Sequence, residues 1–460
     1  METNSSMTKA RGLGSRRARL LLILAAAILH FSVTTTVFMI GRAGVLPGQF
    51  DQKGLGNFAS DGFTYQTEVL ELASVLKNQG IHAWAGWPSQ LHVRLYSLPV
   101  AAINGGSSFN ILTIELLNLI YYLIILVLAF RISRIVFNDR TALMAAAAIA
   151  IWPSFLLHTT QLLRDPLLIG SFLLLILNIT LCLKKDYGWL KGILAGACGT
   201  AALGLIRIVR LPMWSLLWPV ILAAVLLLAV ELIRRQRLSH GNLVFAVMLI
   251  AAMLILPLFQ NQFHNQQIVK GPRTISPEEV QKLPVGDQIA TRRQGFELSL
   301  DSSGDVVASQ AGSDIDHGVR FSGPGDILRH IPRALALGFF APFPNMWLAT
   351  GKQVGGGGRL LSGFETLLSY MVECLALMGL WHKRKQVSAW FLALVVTLGA
   401  VALGLVVANI GALFRLRYPF WILLIICGAG GADYLVRRRD QGVGTNNDRT
   451  FAASAGTIHS

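Results

Sequence analysis

The sequence predicts an all-α polytopic membrane protein with about ten transmembrane helices, both termini in the cytoplasm, and two large extracytoplasmic loops. Three observations carry this expectation. Apolar residues make up 53% of the 460 residues and charged residues only 14%. Apolar runs recur near the length needed to cross a bilayer, roughly 20 residues at about 1.5 Å each against a hydrocarbon core of about 30 Å. Basic residues cluster in short connections between alternate runs, as retained cytoplasmic loops do.

The first run, about Leu20 to Ile40, follows Arg16, Arg17 and Arg19. It is long for a signal peptide and no small-x-small cleavage site follows, so it reads as an uncleaved span behind a cytoplasmic segment 1–19. Further runs fall at about 113–136, 141–157, 167–183, 192–210, 212–233, 242–259, 361–381, 387–408 and 418–435. Ten spans place Arg131/Arg134/Arg140, Lys184/Lys185/Lys191, Arg234/Arg235/Arg237, Lys383/Arg384/Lys385 and Arg437/Arg438/Arg439 all inside. One span more or fewer would break that alternation. The chain thus divides into a seven-span module over 20–259, an outside loop over 260–360, three spans over 361–435 and a polar, disordered cytoplasmic tail over 436–460.

The first outside loop, 41–112, contains an amphipathic stretch from Phe63 to Gln79, with Tyr65, Val69, Leu72 and Leu76 on one face. Gly80 would end this helix, which is expected along the membrane surface. The second loop is polar to about Gly325 and turns apolar over Ile331–Trp347. Pro342 and Pro344 break that stretch, so an interfacial or re-entrant segment is expected there rather than an eleventh span. Gly355–Gly358 reads as a flexible hinge or a loose loop. No internal repeat supports a transporter-like duplication.

The net charge of +16 follows the inside connections, and no nucleic-acid motif is present. Nucleic acid is therefore not an expected partner. The four cysteines, Cys182, Cys198, Cys374 and Cys427, lie inside apolar runs with neither a disulfide framework nor zinc spacing. His82, His92 and His158 match no metal motif, and Trp84, Trp87, Trp347 and Tyr96 suit an interfacial belt as well as a sugar platform.

Four groups of residues could carry chemistry. Asp61, in Ser60-Asp61-Gly62, could serve as a general base at the outer membrane surface; Asp61 or Ser60 could equally cap the following helix. Asp165, in Arg164-Asp165-Pro166, reads as a helix cap, or as a second acidic group with Arg164 beside it as neighbour or phosphate ligand. Arg207 and Arg210 sit at the outer end of the fifth span, either snorkelling to the interface or forming an anion site. Arg415 and Arg417, in Phe414-Arg415-Leu416-Arg417-Tyr418-Pro419, would project to one side of an extended segment. Two guanidiniums there could grip a phosphate or anchor a lipid headgroup.

The order of these elements resembles the GT-C superfamily of membrane glycosyltransferases, and most closely the bacterial branch related to protein O-mannosyltransferases and lipid A aminoarabinose transferases. The resemblance runs through Ser60-Asp61-Gly62 to Gln79, then Arg94-Leu95-Tyr96-Ser97-Leu98-Pro99 and Arg131–Ser154. It continues in Gln161-Leu162-Leu163-Arg164-Asp165-Pro166, Ile331–Pro344 and the closing Asn409–Pro419. It covers 15–170 and 325–435 loosely; each motif is weak and their order carries the weight. Two departures stand out. Gly62 replaces a second acid common in the family, and Val93-Arg94 stand where many members have Pro-Pro.

The resemblance implies transfer of a sugar, with inversion, from a polyprenyl-phosphate donor to a lipid-linked, glycan or protein acceptor of the cell envelope or an exopolysaccharide. The setting would be the bacterial inner membrane, without metal or other cofactor. Asp61 would be the base, and Arg415 and Arg417, with Arg207 or Arg210, would hold the departing phosphate. A lipid-linked repeat-unit polymerase and a lipid or solute transporter are the alternatives. The latter would favour charges deep in mid-span, which the sequence does not display.

Overall fold

The computed structural model describes residues 2–106, 108–235, 239–259, 268–270, 273–300, 306–308, 315–316, 319–321, 323–348 and 355–455. The first apolar run lies within α1 (Glu2–Ala43), and the first outside loop carries α2 (Asp61–Gly86) and α3 (Leu91–Asn104). Next come α4 (Glu115–Val136), α5 (Asp139–Ala150), α6 (Pro153–Thr159), α7 (Asp165–Lys184), α8 (Trp189–Val209), α9 (Trp214–Arg235) and α10 (His240–Ile255). The second loop holds a hairpin of β1 (Ile268–Lys270) and β2 (Arg273–Ile275), then α11 (Pro277–Lys282) and α12 (Val285–Glu297). A second hairpin of β3 (Leu298–Leu300) and β4 (Val306–Ala308) precedes α13 (Pro324–Phe340). The chain closes with α14 (Gly355–His382), α15 (Val387–Val406), α16 (Ile410–Leu416) and α17 (Tyr418–Ala455).

Among the described residues, nine helices are long and apolar enough to cross a membrane, and ten if α5 and α6 count as one span bent by 66°. The protein is a helical, multi-pass membrane protein. The bend falls where an unbroken span was expected over 141–157, and its cause is local. Trp152 precedes Pro153 and is extended at ψ 113°, because the proline ring disfavours helical backbone in the residue before it. The most enclosed spans are α7 and the apolar part of α17, whereas Leu222, Leu226, Val230 and Ile233 of α9 stay exposed along one face. An exposed stripe of this size matches lipid rather than water.

Small residues set the tightest approaches. A Cβ on Gly404 of α15 would collide with the Ala334 backbone of α13, and one on Gly338 of α13 would collide with Ala400. The apolar stretch expected at 331–347 is therefore the latter half of α13 lying close against a span, with Pro342 and Pro344 beyond its end at Phe340.

Further expectations need correction. Gly355–Gly358 opens α14 rather than forming a loose loop, and the α17 backbone stays helical to Ala455 where a disordered tail was expected. Asn409 caps α16, its Oδ1 accepting from Ala412 N at 3.1 Å, so Arg415 sits in a helix and not in an extended segment. The amphipathic stretch at 63–79 is α2 up to Gly80, whose φ of 85° breaks the helix; Tyr65, Val69 and Leu72 are its buried face.

The two ends of the bundle differ. At one end Asn138 Nδ2 donates to Asp433 Oδ2 at 2.8 Å, Lys184 Nζ reaches the Ile135 carbonyl, and His382 stacks on Tyr434. These contacts draw together the predicted cytoplasmic connections. At the other end Gln161 ties the first loop to the start of α7, its Oε1 accepting from Gly56 N at 2.8 Å. There too, Arg292 and Arg293 fasten the second loop, donating to the Pro212 carbonyl at 3.0 Å and the Leu405 carbonyl at 3.3 Å.

Candidate active site

Asp61 opens α2, Asp165 opens α7, Arg210 follows α8 and Arg415 lies in the last turn of α16. Residues up to 354 positions apart thus meet at the loop-bearing end of the bundle. Arg415 Nη2 donates to Asp61 Oδ2 at 2.6 Å, and its Nε lies 3.1 Å from Asp165 Oδ2. Arg210 Nη1 donates to Asp165 Oδ1 at 3.3 Å. Arg415 therefore bridges the two carboxylates, and Asp165 bridges two guanidiniums. The contact between Arg415 Nε and Asp165 Oδ2 is an ion pair outside hydrogen-bond geometry, so both atoms are buried without a hydrogen bond.

The first loop is braced over this cluster. Tyr96 OH lies 2.7 Å from Asn118 Oδ1 and 3.1 Å from the Leu163 carbonyl, the two acceptors sharing its one proton, and fixes the turn that presents Arg164 and Asp165. Arg94 Nη1 holds the Ala85 carbonyl at 2.8 Å and closes the α2–α3 turn. These motif residues build the site's walls. Ser60 is the N-cap of α2 but makes no side-chain cap bond, so the capping alternative does not account for Asp61. Asp165 likewise stands one residue inside the cap, which is Arg164.

Exposure is graded across the cluster. The Asp61 side chain is 36% exposed, Arg415 12% and Asp165 6%. Asp61 forms the mouth and Asp165 the floor. Burial would raise the Asp61 carboxyl, but the positive charges of Arg415, Arg164 and Arg210 outweigh it and hold the group below its usual value. Burial, reinforced by Arg164, pushes His92 well down and keeps it neutral. Burial also brings Arg210 down to about 10, against the pull of Asp165. With His92 neutral, three guanidiniums face two carboxylates, an excess of one positive charge. A site of that balance favours an anion.

Arg417 and Arg207 lie elsewhere. Two residues along a helix rotate the side chain by about 200°, so Arg417 points away from Arg415. Its Nη1 donates to the Ala341 carbonyl at 2.9 Å, and its guanidinium lies 4.0 Å from the Phe414 ring centroid and 5.0 Å from that of Trp421. The expected Arg415–Arg417 grip does not form. Arg207 lies over the Trp214 ring and donates toward the Pro257 and Phe259 carbonyls at 3.4 and 3.3 Å. It joins α8 to the end of α10, while Arg210, outside the helix at φ −151°, turns to Asp165.

Beside the cluster lies a small cleft, open on one side and with room for about one water molecule, lined by Phe155, His158, Thr159, Leu163, Asp165, Pro166, Ile169, Arg415 and Tyr418. One end is charged and the rest largely apolar. Its wall at α6 depends on a residue that sequence reasoning passed over. Glu365, wholly buried in α14, accepts from Ser154 N and Ser154 Oγ, both at 2.5 Å. Tyr418 OH donates to Ser154 Oγ at 2.9 Å, and His158 Nδ1 lies 2.6 Å from the Ser154 carbonyl. The signal was present as one acid in the apolar run Gly363–Leu368. A second enclosed acid, Glu115, meets His30 Nδ1 and Thr34 Oγ1, both at 2.8 Å. The expectation of no charge deep within the spans thus fails at Glu365.

Among the described residues, no group of three or more His, Cys, Asp or Glu is arranged to hold a metal ion. No protein-family model matches the chain, and no curated protein is similar to it.

Proposed function

We propose that the protein is a membrane glycosyltransferase that moves a sugar from a polyprenyl-phosphate donor to a cell-envelope or exopolysaccharide acceptor, on the extracytoplasmic side of a bacterial inner membrane. The observation that carries this reading is the meeting of Asp61, Arg415, Asp165 and Arg210 at the end of the bundle opposite the basic connections, beside a pocket with an apolar wall. The basic connections would face the cytoplasm, which sets the site at the outer leaflet. In the proposed reaction Asp61 accepts the proton of the acceptor hydroxyl. The acceptor oxygen bonds to the anomeric carbon, and the bond from that carbon to the phosphate oxygen breaks, inverting the centre. Negative charge develops on the lipid phosphate, where Arg415 and Arg210, with Arg164 nearby, stabilise it away from bulk water.

The test is transfer in proteoliposomes holding radiolabelled undecaprenyl-phosphate hexose, pentose or aminosugar, with envelope extract as acceptor source. Wild-type protein is expected to release label from the lipid to an acceptor. Asp61→Asn is expected to lose about 10²–10⁴-fold of that rate, the usual contribution of a positioned base. Full transfer by folded Asp61→Asn would overturn the assignment.

A further inference from the structure

In the resting protein the proposed base and the proposed phosphate ligand are bonded to one another. Asp61 accepts from Arg415 Nη2 at 2.6 Å. A carboxylate held in that way is a poor proton acceptor, and a guanidinium held in that way is a poor phosphate ligand. The two partners are not equally fixed. Asp165 has Arg210 as well as Arg415, whereas the one side-chain hydrogen bond shown for Asp61 is to Arg415. Asp61 is also the exposed member, at 36% against 6% for Asp165, and its side chain bears no part of the α2 cap. An anion entering the site meets Asp61 first and can compete for Nη2 without disturbing the floor.

We propose that the Asp61 carboxylate occupies the anion seat of Arg415 in the resting protein, and that the phosphate of an arriving polyprenyl-phosphate donor displaces it. This rests on the reading given under Proposed function and adds an order to it: donor before acceptor. Displacement breaks no covalent bond. Arg415 exchanges one oxyanion for another, and Asp61 is left beside a phosphate. A neighbouring anion raises a carboxylate's affinity for protons, so donor binding itself turns Asp61 into a base. Until then Asp61 is engaged by Arg415 and is not available as the base, which guards against premature attack.

The test is binding of undecaprenyl phosphate to the full-length protein in lipid nanodiscs. Asp61→Asn keeps the shape and removes the competing charge, and it is expected to bind roughly tenfold tighter than wild type. Asp61→Glu retains a carboxylate and is expected to bind as wild type does. Equal or weaker binding by Asp61→Asn overturns the proposal; should that variant not fold, Asp61→Ser carries the same expectation. Inorganic phosphate, as a second arm, is expected to bind more weakly but in the same rank order. Equal affinity for the two ligands would make a free phosphate the occupant and overturn the lipid assignment. Tighter binding by Asp61→Asn, together with no transfer from any donor by the wild-type protein, supports the self-occupied seat and overturns the transferase reading alone.

Discussion

Asp61→Asn and Asp165→Asn are the same chemical change, yet the structure assigns them opposite consequences. Asp165 is 6% exposed and serves both Arg210 and Arg415. Removing its charge leaves two enclosed guanidiniums without their shared carboxylate. Breaking a buried pair from one side costs about 3–5 kcal/mol, so Asp165→Asn is expected to lose that order of stability. Asp61 is 36% exposed, meets one guanidinium, and leaves Arg415 paired with Asp165 when removed. Its loss is expected to cost at most about 1 kcal/mol, as for a partly solvated pair. Transfer activity runs the other way, with Asp61→Asn expected to be inactive while still folded. Reversible unfolding in mixed micelles, followed by tryptophan fluorescence, would measure stability, and the proteoliposome assay would measure transfer. A stable Asp165→Asn, or an Asp61→Asn destabilised equally, would refute the assignment of mouth and floor.

Two other expectations follow from the packing and from the charge pattern. Gly404→Leu would drive a side chain into the Ala334 backbone and is expected to cost about 1–3 kcal/mol and loosen α13 from α15; an unchanged unfolding midpoint would show that α13 does not pack there. Single cysteines at Gly48 and Arg384, with the native cysteines replaced, should report orientation through a membrane-impermeant maleimide. The first is expected to label from the extracytoplasmic side and the second only after permeabilisation, and the reverse pattern would place the site in the cytoplasm.

The candidate residues split according to how each was read. Asp61, Asp165, Arg210 and Arg415 meet; the last three are visible as charges beside the ends of apolar runs, and Asp61 as the acid at the head of the amphipathic stretch in the first outside loop. Pro419 favours extended backbone before it, which would set Arg417 beside Arg415. That local preference lost to the Asn409 cap and to the burial of Ile410, Leu413 and Phe414, which favour a short helix. Arg207 and Arg210 are neighbours in sequence, but the end of α8 falls between them and sends them apart. Glu365 is legible as one of two acids, with Glu373, in an apolar run, but its partner Ser154 is 211 residues away. No spacing rule connects the two.

Composition and the alternation of apolar runs with basic connections determined, by themselves, that the chain is helical and crosses a membrane many times. This is so because a bilayer penalises unpaired backbone and exposed charge at every position along a span, whatever surrounds it. Only the tertiary structure decided which charges meet. A guanidinium's partner is chosen by helix phase, by the close approach that small residues permit, and by the bend at Trp152-Pro153, and those depend on neighbours remote in the chain. The clustering of Asp61 with Arg415, across 354 residues, is that kind of fact.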